Sequence, residues 1–280
     1  MEIKKVYLKV KDHSVTSEDF ELHYNEELQL LVTHPKPSED ELPRYYESED
    51  YISHTDQKRS LFEKVYHFIR SIAIKKKISI INSGFGNKGN LLDIGAGTGD
   101  FLKAATADGW NGVGVEPSSN ARKIAESKGI RFAEATSLLE DQSFDVITMW
   151  HVLEHVPDVQ QQILELRRLL KANGKIIMAV PNFKSFDAKH YGSYWAAYDV
   201  PRHLSHFSQQ SISELFSQHN LQVVETLPMK FDAFYVSMLS EKYKHGKIRY
   251  INALLTGLKS NSKAAQTGEY SSLIYVIKQK

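Results

Sequence analysis

The sequence predicts an α/β fold in which a doubly wound parallel sheet follows a small N-terminal β-rich module. Three observations carry this. Leu91-Leu92-Asp93-Ile94-Gly95-Ala96-Gly97-Thr98-Gly99-Asp100-Phe101-Leu102 reads as a buried strand, a glycine turn and the start of a helix. Uniformly apolar runs such as Ile176-Ile177-Met178-Ala179-Val180 alternate with amphipathic segments from Leu91 to about Pro228, as strands covered on both faces do. The first 36 residues instead alternate polar and apolar positions, the period of short antiparallel strands.

Taken in order, Val6–Val10, Phe20–Tyr24 and Leu28–Val32 are the strands of the module, and Pro35, Pro37 and Pro43 punctuate the acidic loop after it. An aromatic stretch with Tyr45, Tyr46, Tyr51 and His54 completes residues 1–56; packing as a cap over an acceptor and packing on the domain surface both account for it. Residues 57–280 form the second domain. It opens on a helix from about Gln57 to Lys77, with Leu61, Val65, Phe68, Ile69 and Ile72 on one face and the Lys75-Lys76-Lys77 run as its C-terminal turn. Strands follow at Leu91–Gly95, Gly112–Glu116, Arg131–Ala133, Phe144–Trp150 and Lys175–Val180. Helices fall at about Asp100–Asp108, Ser118–Lys128, Val159–Lys171 and Gln209–His219, with Asn173-Gly174 as a helix stop. A helical insertion at about 229–268 precedes a last strand, Tyr270–Lys278. The insertion reads as a lid or as the surface of a homodimer.

Bulk properties narrow the function. The chain has 280 residues and a net charge of +1, so nothing suggests a nucleic-acid or membrane footprint and neither partner is expected. It contains no cysteine, which excludes disulfides, thiol catalysis and thiolate zinc sites. No apolar run reaches a membrane span and the N-terminus lacks a signal-peptide core, so a cytoplasmic protein is expected.

The glycine turn selects the ligand. A dinucleotide fingerprint would place its third glycine at position 100, where this chain has Asp100. An acid beside a pyrophosphate is repelled, so the turn suits a nucleoside cofactor without phosphates, such as S-adenosylmethionine. Glu116 ends the second strand of the domain about 20 residues on, where an acid accepts hydrogen bonds from ribose hydroxyls. Asp93, inside an apolar strand, needs polar partners; it can hold the loop backbone, reach the cofactor's ammonium group, or do both.

Leu91–Leu102, Gly114-Val115-Glu116-Pro117-Ser118, Phe144–Val156 and Leu169–Lys175 stand in an order that resembles the Rossmann-fold S-adenosylmethionine-dependent methyltransferases, and among them the small-molecule branch of ubiquinone-biosynthesis O-methyltransferases. The resemblance covers roughly Gly89 to Pro228. It implies a Rossmann-like, seven-stranded, mostly parallel sheet whose last strand is antiparallel, and a methyl transfer to a small-molecule acceptor. By position, Gly95, Ala96, Gly97 and Gly99 would pass under the cofactor beside Asp93. Glu116 would take the ribose, and Pro117 and Ser118 would border the adenine. The third strand leads to Thr136, where the family places an acid near the adenine; here the nearest acid is Glu134. Trp150 and His151 would border the methionine arm. In some relatives the N-terminal module carries zinc on paired cysteines, which this chain lacks, leaving strand pairing to stabilise it.

His151 and His155 with Glu154 have a spacing that suits metal ligands, but a third convincing ligand is missing and no metal is expected. His155 reads as part of the pocket wall. The long loop Tyr191–Ser208 leaves the ligand edge of the sheet, as lids and binding loops do. Within it Arg202 either holds an acceptor's carboxylate or locks the loop through Asp199. His203 either takes a proton from the acceptor or anchors the loop; His203 and then His151 are the candidate bases. Two other functions stay open at this point: a nicotinamide oxidoreductase, and a module that binds cofactor or partner without turnover.

Overall fold

A computed structural model describes residues 5–38, 40–46, 61–84 and 86–280. Tyr51, His54 and the expected helix start at Gln57 lie outside them. The chain packs as two units. One comprises 1–54, 151–160 and 179–275, the other 55–150, 161–178 and 276–280.

The second of these carries the glycine turn. Its first helix, α1 (Leu61–Asn82), runs past the lysine run, because Ile78, Ile80 and Ile81 extend the pattern up to Ser83-Gly84. Lys75–Lys77 therefore lie mid-helix, not in a terminal turn. Ile72, expected on the buried face, is exposed, and Ile80 and Ile81 are buried instead. Strand β4 (Asn90–Ile94) leads through the turn into α2 (Asp100–Ala107); β5 (Asn111–Val115) leads into α3 (Ser119–Ser127). Strand β6 (Phe144–Trp150) is followed by α4 (Val159–Leu169) and β7 (Leu170–Pro181). Helix α4 stops two residues short of the expected end, because the N–H groups of Gln142 and Ser143 take the carbonyls of Arg168 and Leu169. Asn173-Gly174 consequently lies inside β7.

Strands β4 and β5 are parallel, as are β4 and β6, with Ile94 level with Val115 and Met149. The chain leaves β4 for β5 on one side and returns to β6 on the other. That reversal is the topological switch point of an open α/β sheet, and it puts Gly95, Glu116 and Trp150 at one edge. The sheet order is β5-β4-β6-β7-β10-β9, where β9 is Leu221–Pro228 and β10 Ser272–Gln279. The strand expected at Arg131–Ala133 is reduced to one parallel bridge between Phe132 and Gly114. Strand β9 is unforeseen: with Glu225 at its middle and an exposed face, it lacks the apolar run that marks its neighbours.

In the other unit, β1 (Val6–Lys11), β2 (Asp19–Asn25) and β3 (Leu30–His34) form an antiparallel meander. The two-residue strand β8 (Ser205–His206) joins its edge, so the long loop is the fourth strand of the module's sheet. Val10, Phe20, Leu22, Leu31 and Tyr45 pack there with Tyr191, Trp195 and Tyr198. Helices α5 (Phe186–Tyr191), α6 (Gln209–Ser217), α7 (Asp232–His245) and α8 (Tyr250–Thr267) complete it, so the insertion is a helix pair.

Candidate cofactor and acceptor sites

The turn after β4 is built by three left-handed glycines, with φ of 71° at Gly95, 54° at Gly97 and 77° at Gly99. At Gly99 a Cβ would lie 2.8 Å from that of Ala125, so the glycine lets α3 approach. At Gly97 it would meet nothing within 4 Å, and the open space above it suits a ligand laid against the backbone. The Glu116 carboxylate accepts from the Gly97 N–H at 2.8 Å and from the Ser118 N–H at 2.8 Å. An amide that a phosphate would need is thus already given to a carboxylate, which counts against a pyrophosphate more directly than Asp100 does. Asp100 is paired with Lys128 at 2.6 Å. A carboxylate has about four acceptor positions, so Glu116 keeps capacity for two hydroxyls.

Asp93 is buried and accepts from the Thr148 hydroxyl at 2.6 Å. Burial pushes its carboxyl up to about 7 against the opposing pull of that bond and of Lys77. Trp150 packs edge-on against Phe101 at 5.4 Å, under the Lys77 ammonium at 4.2 Å, and its buried indole N–H has no acceptor. An orphan donor beside a cation is a seat for a carboxylate. Ser118 caps α3 through the Ala121 N–H, and Pro117 and Ser118 are exposed. Thr136 opens a short 3₁₀ turn and is tied to α4: its hydroxyl bonds Glu165 and its carbonyl accepts from Arg168.

In the other unit the histidines converge. His151 sits at φ 57°, a conformation rare outside glycine, and its ring is bracketed by Glu154 (Nδ1, 3.3 Å) and Asp232 (Nε2, 3.2 Å). Burial opposes its charge, but the two carboxylates outweigh it and hold the imidazole protonated up to about 10. Glu154, buried, is held at about 2: burial raises it, and the bond to His151 with the neighbouring imidazoles lowers it further. Its Oε2 accepts no hydrogen bond.

His203 donates its Nδ1–H to the Ala197 carbonyl at 2.9 Å, and His155 donates its own to the Arg202 carbonyl at 3.0 Å. A carbonyl only accepts, so Nδ1 of each ring carries a hydrogen. Burial and His155 push His203 down to about 4, so it is neutral at pH 7. Glu154, His155 and His203 each offer an acceptor atom within 4.8 Å of the others. His203 and Glu154 line one cleft with Phe183, Trp195 and His206.

Arg202 has a different task. Buried, it pairs with Asp12 at 2.9 Å and Asp199 at 2.8 Å, and donates to the Tyr45 carbonyl at 2.8 Å and to the Ser14 hydroxyl. Its donors are committed, so of the two roles open in the sequence the loop lock is the one observed. Asp12 also accepts from the Ser14 and Thr16 N–H groups. The module is therefore fastened by an ion pair as well as by strand pairing.

A family model described as a methyltransferase domain matches residues 62–226, more than half of the chain. The chain is an S-adenosylmethionine-dependent methyltransferase. A ubiquinone biosynthesis O-methyltransferase of Actinobacillus pleuropneumoniae is 32% identical over 133 residues, 42% of this chain and 56% of that one. A Methanocaldococcus jannaschii protein is 29% identical over 172 residues, 59% and 82% of the two chains. The chain thus spans about half the length of the ubiquinone enzyme it matches. The Streptomyces coelicolor geranyl diphosphate C-methyltransferase, solved with S-adenosylhomocysteine, has the same fold (TM-score 0.55, 13% identity, 81% and 86% covered).

The methyltransferase uses S-adenosylmethionine. Its residues fit that group: an open glycine backbone, a carboxylate with spare acceptor capacity and an orphan indole donor. Sequence reasoning missed Asp12 and Asp232. Asp12, followed by Ser14 and Thr16, had a readable signal, since Asp closes turns onto the next N–H groups. Asp232 had none; the α7 fold alone brings it to His151. Among the described residues no helix is long and apolar enough to cross a membrane.

Proposed function

We propose that this methyltransferase methylates an oxygen or nitrogen of a small-molecule acceptor, with residues 1–56 as a module on the catalytic domain 57–280 and β10 as the sheet's antiparallel strand. The observation that carries the acceptor reading is that His203 and Glu154 line one cleft and bring an acceptor atom each within 4.8 Å of the other, with Glu154 Oε2 receiving no hydrogen bond. Two buried acceptors converging in a cleft call for a ligand that donates, so the acceptor presents an O–H or N–H.

His203 receives that proton on Nε2 while Ala197 holds its Nδ1–H and sets the ring plane. His151 is not the base: bracketed by two carboxylates it has no lone pair to offer, and it anchors Glu154 instead. Arg202 keeps the loop bearing His203 in place. For the cofactor, the Gly95–Gly99 turn would carry the methionine arm, Asp93 its ammonium, Trp150 its carboxylate, Glu116 the ribose, and Pro117, Ser118 and Thr136 the adenine. Bound S-adenosylmethionine supplies an electrophilic methyl on a sulfonium. Most of the rate gain comes from alignment.

An acceptor screen with methyl-labelled donor tests this, run on wild type and His203→Ala. Turnover on a phenol, catechol or amine should fall about 100-fold or more in the variant, with S-adenosylhomocysteine affinity within about twofold. Loss of cofactor affinity would make His203 structural.

A further inference from the structure

Helix α8 is assembled inside out. The face it buries is small: Ala253, Thr256, Gly257, Ser260 and Ala264. At Gly257 a Cβ would stand 2.5 Å from the Phe234 ring of α7, so only small residues fit against that neighbour. The large apolar side chains point the other way. Tyr250, Ile251, Leu254, Leu255 and Leu258 are between 52% and 74% exposed. At 100° per residue they form one stripe on the side opposite the buried face. Single exposed leucines are ordinary, but a continuous stripe of five marks an interaction surface.

The charge of the chain that carries the stripe points to the partner. Between Glu241 and Glu269 the chain has Lys242, Lys244, Lys247, Arg249, Lys259 and Lys263 and no acid, although the whole chain carries only +1. Each of the six is exposed. A symmetric contact between two copies through this stripe would set these cations against themselves. An apolar stripe set in a basic, acid-free stretch of chain matches an anionic bilayer, where leucines enter the acyl boundary and exposed cations meet headgroup phosphates.

We infer that α8 docks the methyltransferase peripherally on anionic lipid surfaces. Vesicle flotation of the full chain tests it, with phosphatidylcholine alone and with added phosphatidylglycerol, at low and high salt. The protein should float at least about tenfold more with anionic vesicles, and salt should release it, since each basic residue contributes roughly fivefold. Leu254→Glu with Leu255→Glu should abolish flotation, with melting temperature and S-adenosylhomocysteine affinity unchanged. Lys247→Glu with Arg249→Glu should remove the anionic preference. Absent flotation, equal flotation with neutral vesicles, or a dimer in sedimentation equilibrium that the leucine variant splits would overturn the inference.

Discussion

Glu116 and His151 show how one residue's surroundings decide its role. Glu116 already accepts two backbone N–H groups, so its carboxylate is positioned before any ligand arrives. Its two remaining acceptor positions suit a ribose diol, and such charge-assisted bonds are strong. Glu116→Ala should weaken S-adenosylhomocysteine binding by more than about tenfold in calorimetry; unchanged affinity would place the ribose elsewhere. His151 is charged because Glu154 and Asp232 flank it, and its folded-state pKa is raised to about 10. A raised histidine stabilises fully below its unfolded pKa, about 6.5, and the benefit fades as pH climbs towards 10. His151→Gln should therefore lower the melting temperature more at pH 6 than at pH 10. An equal loss at both would mean the ring is uncharged in the folded protein.

The glycine turn is an element whose three glycines are not equivalent. Gly97→Ala and Gly99→Ala both force an L-residue into the left-handed region, at about 1–2 kcal/mol each. Only at Gly99 does the new methyl also strike Ala125. Gly99→Ala should thus show the larger drop in melting temperature. Gly97→Ala should keep most of its stability and lose cofactor affinity, because its methyl enters the space left for the ligand. The strand–turn–helix at 91–102 was legible because a buried strand, glycines and a helix start follow one another within twelve residues. The stop of α4 was not, because it depends on Gln142 and Ser143, far away in the chain. Strand β8 was hidden for the same reason: two residues cannot show a period, and only the free edge of β3 makes Ser205-His206 a strand.

At the scale of the whole molecule, motif order identified the methyltransferase domain, since three of the motifs sit at the ends of β4, β5 and β6, which the sheet brings to one edge. Composition was a poorer guide. A net charge of +1 averages an acid-free basic stretch on α7 and α8 against acids elsewhere, and so conceals the local asymmetry. Likewise the absence of cysteine leaves no thiolate ligands in the module but did not reveal the Asp12–Arg202 pair that fastens it. Long-range ion pairs leave no local trace, because neither partner is near the other in sequence. The central claim is that the glycine turn with Glu116 receives a nucleoside cofactor that carries no phosphate. Calorimetric titration with S-adenosylhomocysteine, with NAD as the control, tests it most directly. Micromolar binding of S-adenosylhomocysteine alone is the predicted result; binding of NAD, or of neither, would contradict it.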